Sequence, residues 1–336
     1  MTLEASPIPL IDPNSCSSSE LAAAIASAVS SVGFLHLKLS DELRAQAARA
    51  FSISKELFDE PLEHRLRCPN ENGNGHVRFQ ANRLEESKGA GDLKENFVYG
   101  RHGMEESKTS QPLPPSLKRN QAEVDVFHAS CYKLTCTLLD AFSVALNLPP
   151  EYFVERHFQG GCGMAFINYP PVASGAGAEG VARASAHKDW GSLTLLFQEE
   201  QGTPGLEVYL ADAAVEAVKS SKPMELMSDL DLAKCGQWFP APIIPGTVLV
   251  NVGLAMEGWT GGLFKATLHR VLTHSAPDGS FSGRKSIAYF VQPSDNVVLN
   301  PIAPDGTITI TSSALTSKAF YEARMAASAA AAAASS

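Results

Sequence analysis

Apolar positions follow two different rhythms along this chain of 336 residues. In the first half they recur at helical spacing. Val124, Phe127, Cys131, Leu134, Leu138 and Phe142 step by three and four, which predicts a long amphipathic helix. Leu43, Ala47, Phe51 and Phe58 mark another, starting at Ser40. Ser17 and Glu20 have the spacing of a capping box and open a helix that ends near Ser31. Two apolar runs between these helices, "IPLID" (Ile8 to Asp12) and "GFLHL" (Gly33 to Leu37), read as short strands. Pro69 to Gly91 is polar and rich in glycine and asparagine and reads as a loop.

After Gly160 the rhythm changes. "GMAFINYP", "GSLTLLFQ", "GLEVYL", "GTVLVNVG", "TLHRVLTH" and "KSIAYFVQP" are β-branched and aromatic runs separated by Gly/Pro turns, the pattern of an antiparallel sandwich or barrel. Ala211 to Gly236 breaks that pattern, is helix-like in composition, and reads as an insertion. The chain therefore divides into an N-terminal helical and mixed region (1–150), a β-rich core (151–300, with the insertion at 211–236) and a C-terminal segment (301–336). The Ala-rich tail of that last segment extends a helix at most and supplies no core.

Composition narrows the functional classes. The chain is 44% hydrophobic and 19% charged, as soluble globular proteins are, and its net charge of -9 disfavours a nucleic-acid partner. Its six cysteines lack CxxC or zinc-ribbon spacing and read as free, mostly buried thiols in a reducing compartment. No signal peptide or membrane-length apolar run is visible, so the expected location is the cytoplasm, with no membrane partner.

Candidate chemistry begins at "AHKDWGSLTLLFQ". Period two places His187 and Asp189 on one strand face, with Lys188 and Trp190 turned away. An HxD pair is common by chance; His269 in "TLHRV" is the best third ligand, although alone it reads equally as a core histidine. Two imidazoles and one carboxylate on one side of an iron leave three positions open, as oxygen activation requires. His128, His157 and His274 lack such a setting and read as structural, His157 as a surface residue beside Arg156. In "GRKSIAYF", alternation puts Arg284, Ser286, Ala288 and Phe290 on one face. A guanidinium and a hydroxyl there make a fork for a carboxylate, unless the arginine simply reaches solvent at a strand edge. Tyr169 in "INYPP" offers a phenol to the same anion or packs beside a turn.

In the order NYPP, HxDxGxLTLLFQ, GLEV, PGTVLVNVG, HRV, RxS, the chain resembles the isopenicillin N synthase-like branch of the Fe(II)/2-oxoglutarate-dependent dioxygenases. "IPLID", "VGFLHL" and "GDLKENFVYG" are similar to that family's N-terminal region, and "GSLTLLFQ" and "RKSIAYF" resemble fungal thymine 7-hydroxylase-type members. The resemblance implies an α+β fold with a double-stranded β-helix (jelly roll) core and flanking helices. It implies His187, Asp189 and His269 as Fe(II) ligands. Arg284 and Ser286 would take the distal carboxylate of 2-oxoglutarate, with Tyr169 assisting and Asn168 nearby. Phe290 would line the pocket beyond the iron. The implied reaction consumes O2, turns 2-oxoglutarate into succinate and CO2, oxidises (most simply hydroxylates) a small organic molecule, and is open to stimulation by ascorbate. The family pattern is departed from at Leu254, where an acidic residue is usual, and at Thr260 to Gly262, which replaces a Ser/Thr-Asn-Gly turn; neither touches the ligand set.

On the substrate side, Arg78, Phe79, Phe97 and Tyr99 are candidate contacts, with domain packing as the competing reading. Two other functions fit parts of the pattern. An isopenicillin N synthase-like oxidase would turn over without a 2-oxo acid, and a degenerate dioxygenase-fold binding protein would lack turnover altogether. Substrate identity and oligomeric state are not legible.

Overall fold

A computed structural model describes residues 6–71, 73–80, 92–100, 111–157, 161–171, 180–211, 236–274 and 282–334. The helical rhythms form the helices they predict. In α1 (Ser18–Ser31) the Ser17 hydroxyl accepts from the Glu20 amide, and the Glu20 carboxylate accepts from the Ser17 amide at 2.8 Å. The Ser40 hydroxyl caps α2 (Asp41–Asp59) by accepting from the Leu43 amide. Short helices α3 (Leu62–Leu66) and α4 (Pro115–Arg119) lead to α5 (Gln121–Ala145), and α6 (Tyr152–Glu155), α7 (Leu254–Trp259) and α8 (Ser317–Ala334) follow.

The strands are β1 (Leu10–Ile11), β2 (Phe34–Lys38), β3 (Gly75–Val77), β4 (Glu95–Gly100), β5 (Gly163–Tyr169), β6 (Ala182–His187), β7 (Leu193–Gln198), β8 (Leu206–Ala211), β9 (Gly236–Pro240), β10 (Thr247–Val252), β11 (His269–Leu272) and β12 (Arg284–Val291). They form an eight-stranded sheet in the order β1-β2-β10-β7-β12-β5-β4-β3 and a four-stranded sheet in the order β6-β11-β8-β9. The two sheets make the expected jelly roll, α+β in class with its helices outside.

The near-continuous apolar runs now have a cause: the large sheet is buried on both faces. Leu193, Leu195 and Phe197 of β7 join Val248, Val250 and Val252 of β10 and Ile287, Tyr289 and Val291 of β12 in the main core with α1, α2 and α5. Phe127 of α5 packs edge-on to Phe197 at 5.1 Å between ring centroids. The opposite face looks into the barrel, where Phe34, Leu249 and Tyr169 meet Leu206, Val208 and Val271 of the small sheet.

Two expectations change. The Pro69 to Gly91 stretch contains β3, which extends the large sheet beyond β4; residues 72 and 81–91 lie outside the described residues. His157 is no surface residue: it is fully buried, with Nε2 2.7 Å from the Ser192 hydroxyl and Nδ1 2.6 Å from the Phe153 carbonyl, and its ring stacks on Trp259. Ahead of the Ala-rich tail, the C-terminal helix packs Tyr321 on Trp190 and Phe320 on the main core. Within the insertion, Ala211 pairs with Gly236 at the end of the β8–β9 hairpin, while residues 212–235 lie outside the described residues.

Two tests follow from this packing. Burial pushes His157 down from 6.5 to about 4. A depressed folded-state value favours the neutral imidazole. Its contribution, on the order of 3 kcal/mol, is therefore complete above pH 6.5 and drains as pH falls towards 4. Denaturant titrations should show a shallower loss of stability between those pH values in His157→Asn than in the parent. Gly33 sits at φ +75°, and a Cβ there would lie 2.3 Å from the Lys265 carbonyl oxygen. Gly33→Ala should cost at least ~2 kcal/mol and lower the Tm.

Candidate active site

His187 ends β6 and His269 begins β11, and antiparallel pairing sets them directly opposite each other, with ring centroids 4.3 Å apart. Asp189 lies two residues past His187 in the turn to β7. Its Oδ1 is 3.8 Å from Nε2 of each histidine. Its Oδ2 is held away from them, accepting from the Thr194 hydroxyl at 2.6 Å and the Asn251 amide at 2.8 Å. One donor comes from β7 and the other from β10, so the turn is fastened to the large sheet. A close backbone approach completes it: a Cβ on Gly253 would lie 2.2 Å from the Gly191 carbonyl oxygen, and the Leu254 amide donates to the Asp189 carbonyl at 2.7 Å.

The histidines are oriented by the main chain. Nδ1 of His187 lies 2.7 Å from the Ser185 carbonyl, and Nδ1 of His269 lies 3.0 Å from the Thr267 carbonyl. With the proton on Nδ1 donated to a carbonyl, Nε2 presents a lone pair to the cluster. Phe34 packs edge-on to the His269 ring at 5.4 Å. Burial, then the neighbouring His269, push the His187 imidazole well below its ordinary value, which keeps it neutral. Burial works against the Asp189 carboxylate, but the adjacent His269 and His187 and the Asn251 and Thr194 donors outweigh it and hold its pKa below 3.8. One ligand atom from each of the three residues lies within 4.8 Å of the others, a set that could hold a metal ion. Two neutral nitrogens and one carboxylate oxygen suit Fe(II), and the described residues supply no fourth ligand.

Behind His187, Asp92 accepts at 3.0 Å from both the amide and the hydroxyl of Ser185, and its other oxygen meets the Lys94 ammonium at 3.0 Å. The segment leading into β4 thus grips the strand that carries the first histidine.

On β12, Arg284 is buried opposite Tyr169 of β5, its guanidinium 5.1 Å from the centre of that ring. Nη2 donates to Gln198 at 2.8 Å. Nε of Arg284 and the Ser286 hydroxyl are buried without a protein partner. Burying donors in this way costs free energy unless an acceptor arrives. The guanidinium and hydroxyl side by side match a carboxylate, so the pocket fits the far end of a keto dicarboxylic acid.

The other expected residues divide by sheet face. Phe290 looks into the barrel opposite Thr194, the donor to Asp189. Asn168 does not reach the carboxylate pocket: with Tyr169 facing inward, its neighbour faces the helices and donates to Glu95 at 3.1 Å. Phe97 and Tyr99 share that outer face and are buried in the main core, where Tyr99 donates to Asp125 at 2.6 Å. Arg78 and Phe79 line a cavity of about 450 Å³ with Leu62, Arg65, His76 and Glu95, which includes none of the three candidate ligands. Sequence reading missed Asp92, Ser185, Thr194 and Asn251. The signal for Asn251 was a lone amide inside "VLVNV", because a polar side chain in a doubly buried strand needs a partner.

Comparisons with known proteins agree with this geometry. Residues 161–293 match the family model of the 2OG-Fe(II) oxygenase superfamily, and residues 8–121 match the N-terminal model described as non-haem dioxygenase in morphine synthesis. A proline hydroxylase of Petromyces alliaceus is 27% identical over 82% of this chain and 82% of its own length. The validamycin A dioxygenase of Streptomyces hygroscopicus subsp. limoneus is 28% identical over 76% of this chain and 67% of its own. The thymine 7-hydroxylase of Neurospora crassa, crystallised at full length in complex with alpha-KG, superposes with a TM-score of 0.75 at 25% identity, over 95% of this chain and 96% of that one. The match across the barrel and the match across the region preceding it point the same way, and the chain is a member of the 2OG-Fe(II) oxygenase superfamily.

Proposed function

We propose that this protein hydroxylates a small organic molecule, with His187, Asp189 and His269 holding Fe(II) and Arg284, Ser286 and Tyr169 receiving the distal carboxylate of 2-oxoglutarate. The observation that carries this reading is the division of labour within Asp189, one oxygen turned to both histidines and the other tied down by Thr194 and Asn251. Bound iron supplies coordination sites for O2 and the keto acid and the oxidising power to break a C–H bond. The chain's own residues do the rest. Asp189 stays ionised and offsets part of the metal charge. The Ser185 and Thr267 carbonyls hold the imidazole protons on the side away from the metal. Arg284 and Ser286 fix one end of the keto acid, so that its keto oxygen and near carboxylate are presented to the ligand cluster. Phe290, beside Thr194 on the barrel face, bounds the space left for the substrate. The unpartnered Arg284 Nε and Ser286 hydroxyl favour an enzyme that consumes 2-oxoglutarate over an oxidase that does not.

We also infer a cytoplasmic protein that does not bind nucleic acid. Support comes from Cys16, Cys68 and Cys131, which are free thiols, and from the net charge of -9. Among the described residues no helix is long and apolar enough to cross a membrane.

Asp189→Ala should abolish stoichiometric Fe(II) binding; retained iron with full turnover would refute the ligand assignment. Asn251→Ala leaves the ligands in place but frees one carboxylate oxygen, and should weaken metal affinity by about 10–100-fold in an anaerobic titration. Slow succinate formation should occur without any primary substrate. Arg284→Leu should raise the 2-oxoglutarate requirement by an amount equivalent to about 2–5 kcal/mol. Turnover of an identified substrate at full rate without any 2-oxo acid would instead indicate the oxidase.

A further inference from the structure

The cosubstrate pocket has a second buried cation beside it. Arg183 on β6 is 1% exposed. Its Nη2 donates at 2.7 Å to the carbonyl of Ser282, two residues before Arg284, so its guanidinium lies beside the start of β12 and feels the charge of Arg284. Its Nε has no partner, which it shares with Arg284 Nε and the Ser286 hydroxyl. Among the described residues no carboxylate lies within 4.0 Å of either guanidinium.

The strand is shaped to bring Arg183 there. β6 pairs His187 with His269, Ala184 with Val271 and Ala182 with Leu272, so its register slips twice and Arg183 stands at a slip with no residue opposite it. Such bulges re-aim a side chain. Ala184 still faces the barrel interior with Tyr169. Burial, then the like charge of Arg284, lower the Arg183 pKa, and the Tyr169 phenol works the other way. Two cations sharing a desolvated space without a counterion are costly, and an anion between them removes the cost. A carboxylate has four lone-pair sites, more than one Arg–Ser fork can fill.

We propose that Arg183 is a second anchor for the distal carboxylate of the keto acid, which is gripped between Arg183 and Arg284. The inference rests on the 2-oxoglutarate reading above. Its consequence is selectivity: the site discriminates a dicarboxylic from a monocarboxylic 2-oxo acid more strongly than one arginine allows.

The test is anaerobic calorimetry on the full chain loaded with Mn(II), titrated with 2-oxoglutarate or with 2-oxopentanoate, which has the same carbon count and lacks the far carboxylate. Arg183→Gln should lose at least tenfold in 2-oxoglutarate affinity and keep its 2-oxopentanoate affinity. Arg284→Leu should bind 2-oxoglutarate more weakly and still prefer it several-fold, because Arg183 remains. Parent-like 2-oxoglutarate affinity in Arg183→Gln, or equal weakening towards both acids, would overturn the inference and leave the proposed function standing. Parent-like 2-oxoglutarate affinity in Arg284→Leu would instead overturn the cosubstrate assignment itself. Should Arg183→Gln fail to fold, Arg284→Leu still decides: loss of all preference for the dicarboxylate in that variant excludes a second anchor.

Discussion

A single carboxylate joins the two sheets of this barrel. Asp189 follows the edge strand of the small sheet, yet one of its oxygens is bound by side chains from two neighbouring strands of the large one. The other oxygen is left between two imidazoles. Leaving a buried carboxylate half satisfied is unfavourable in an apolar interior. The arrangement persists because the donors on one side are fixed by strands that are themselves buried on both faces. The large sheet and its helices thus serve the site directly: they hold Thr194 and Asn251 in place so that Asp189 need not rotate.

The same logic explains how the functional groups are distributed. β5, β7, β10 and β12 each send alternate residues to opposite environments. Their helix-facing members are mostly hydrophobes, with Asn168 and Lys285 as exceptions, while the barrel-facing set includes Tyr169, Thr194, Asn251, Arg284 and Ser286. The groups of the candidate site are confined to one face of that sheet, to the ends of β6 and β11 and to the turn after β6. That arrangement keeps the candidate ligands and the candidate carboxylate pocket on strands or on a turn fastened to them.

The sequence disclosed those parts of the site that depend on a single strand. Arg284 and Ser286 could be paired by period two, and His187 and Asp189 by their closeness in the chain, although β6 ends at His187 and the turn, not strand alternation, brings Asp189 to it. What it did not disclose depends on registers between strands. Asn168 and Tyr169 are adjacent, and only the pairing of Arg284 with Tyr169 tells which of them faces the barrel. Phe97 and Tyr99 inherit the same parity from Asn168 through Glu95. Arg183 was hidden for a related reason, since simple alternation does not survive two register slips. His157 misled through its neighbour: Arg156 turns out over the Tyr152 ring while the imidazole goes inward. The helices were the most legible elements because caps such as Ser17 and Ser40 act within one turn of chain.

The β8–β9 hairpin is paired up to Ala211 and Gly236 before the chain departs for the 24 residues numbered 212–235. Even an unstructured connection of that length would cost only roughly 1.5 kcal/mol more to close than a four-residue turn. His269 pairs with Val208 across the other edge of β8, away from the tip, so the spacing of the candidate ligands is indifferent to how much chain is spliced in there. That tip is a port: a lineage, or an engineer, can lengthen, shorten or replace the sequence inserted there while the geometry of the candidate ligands is inherited unaltered.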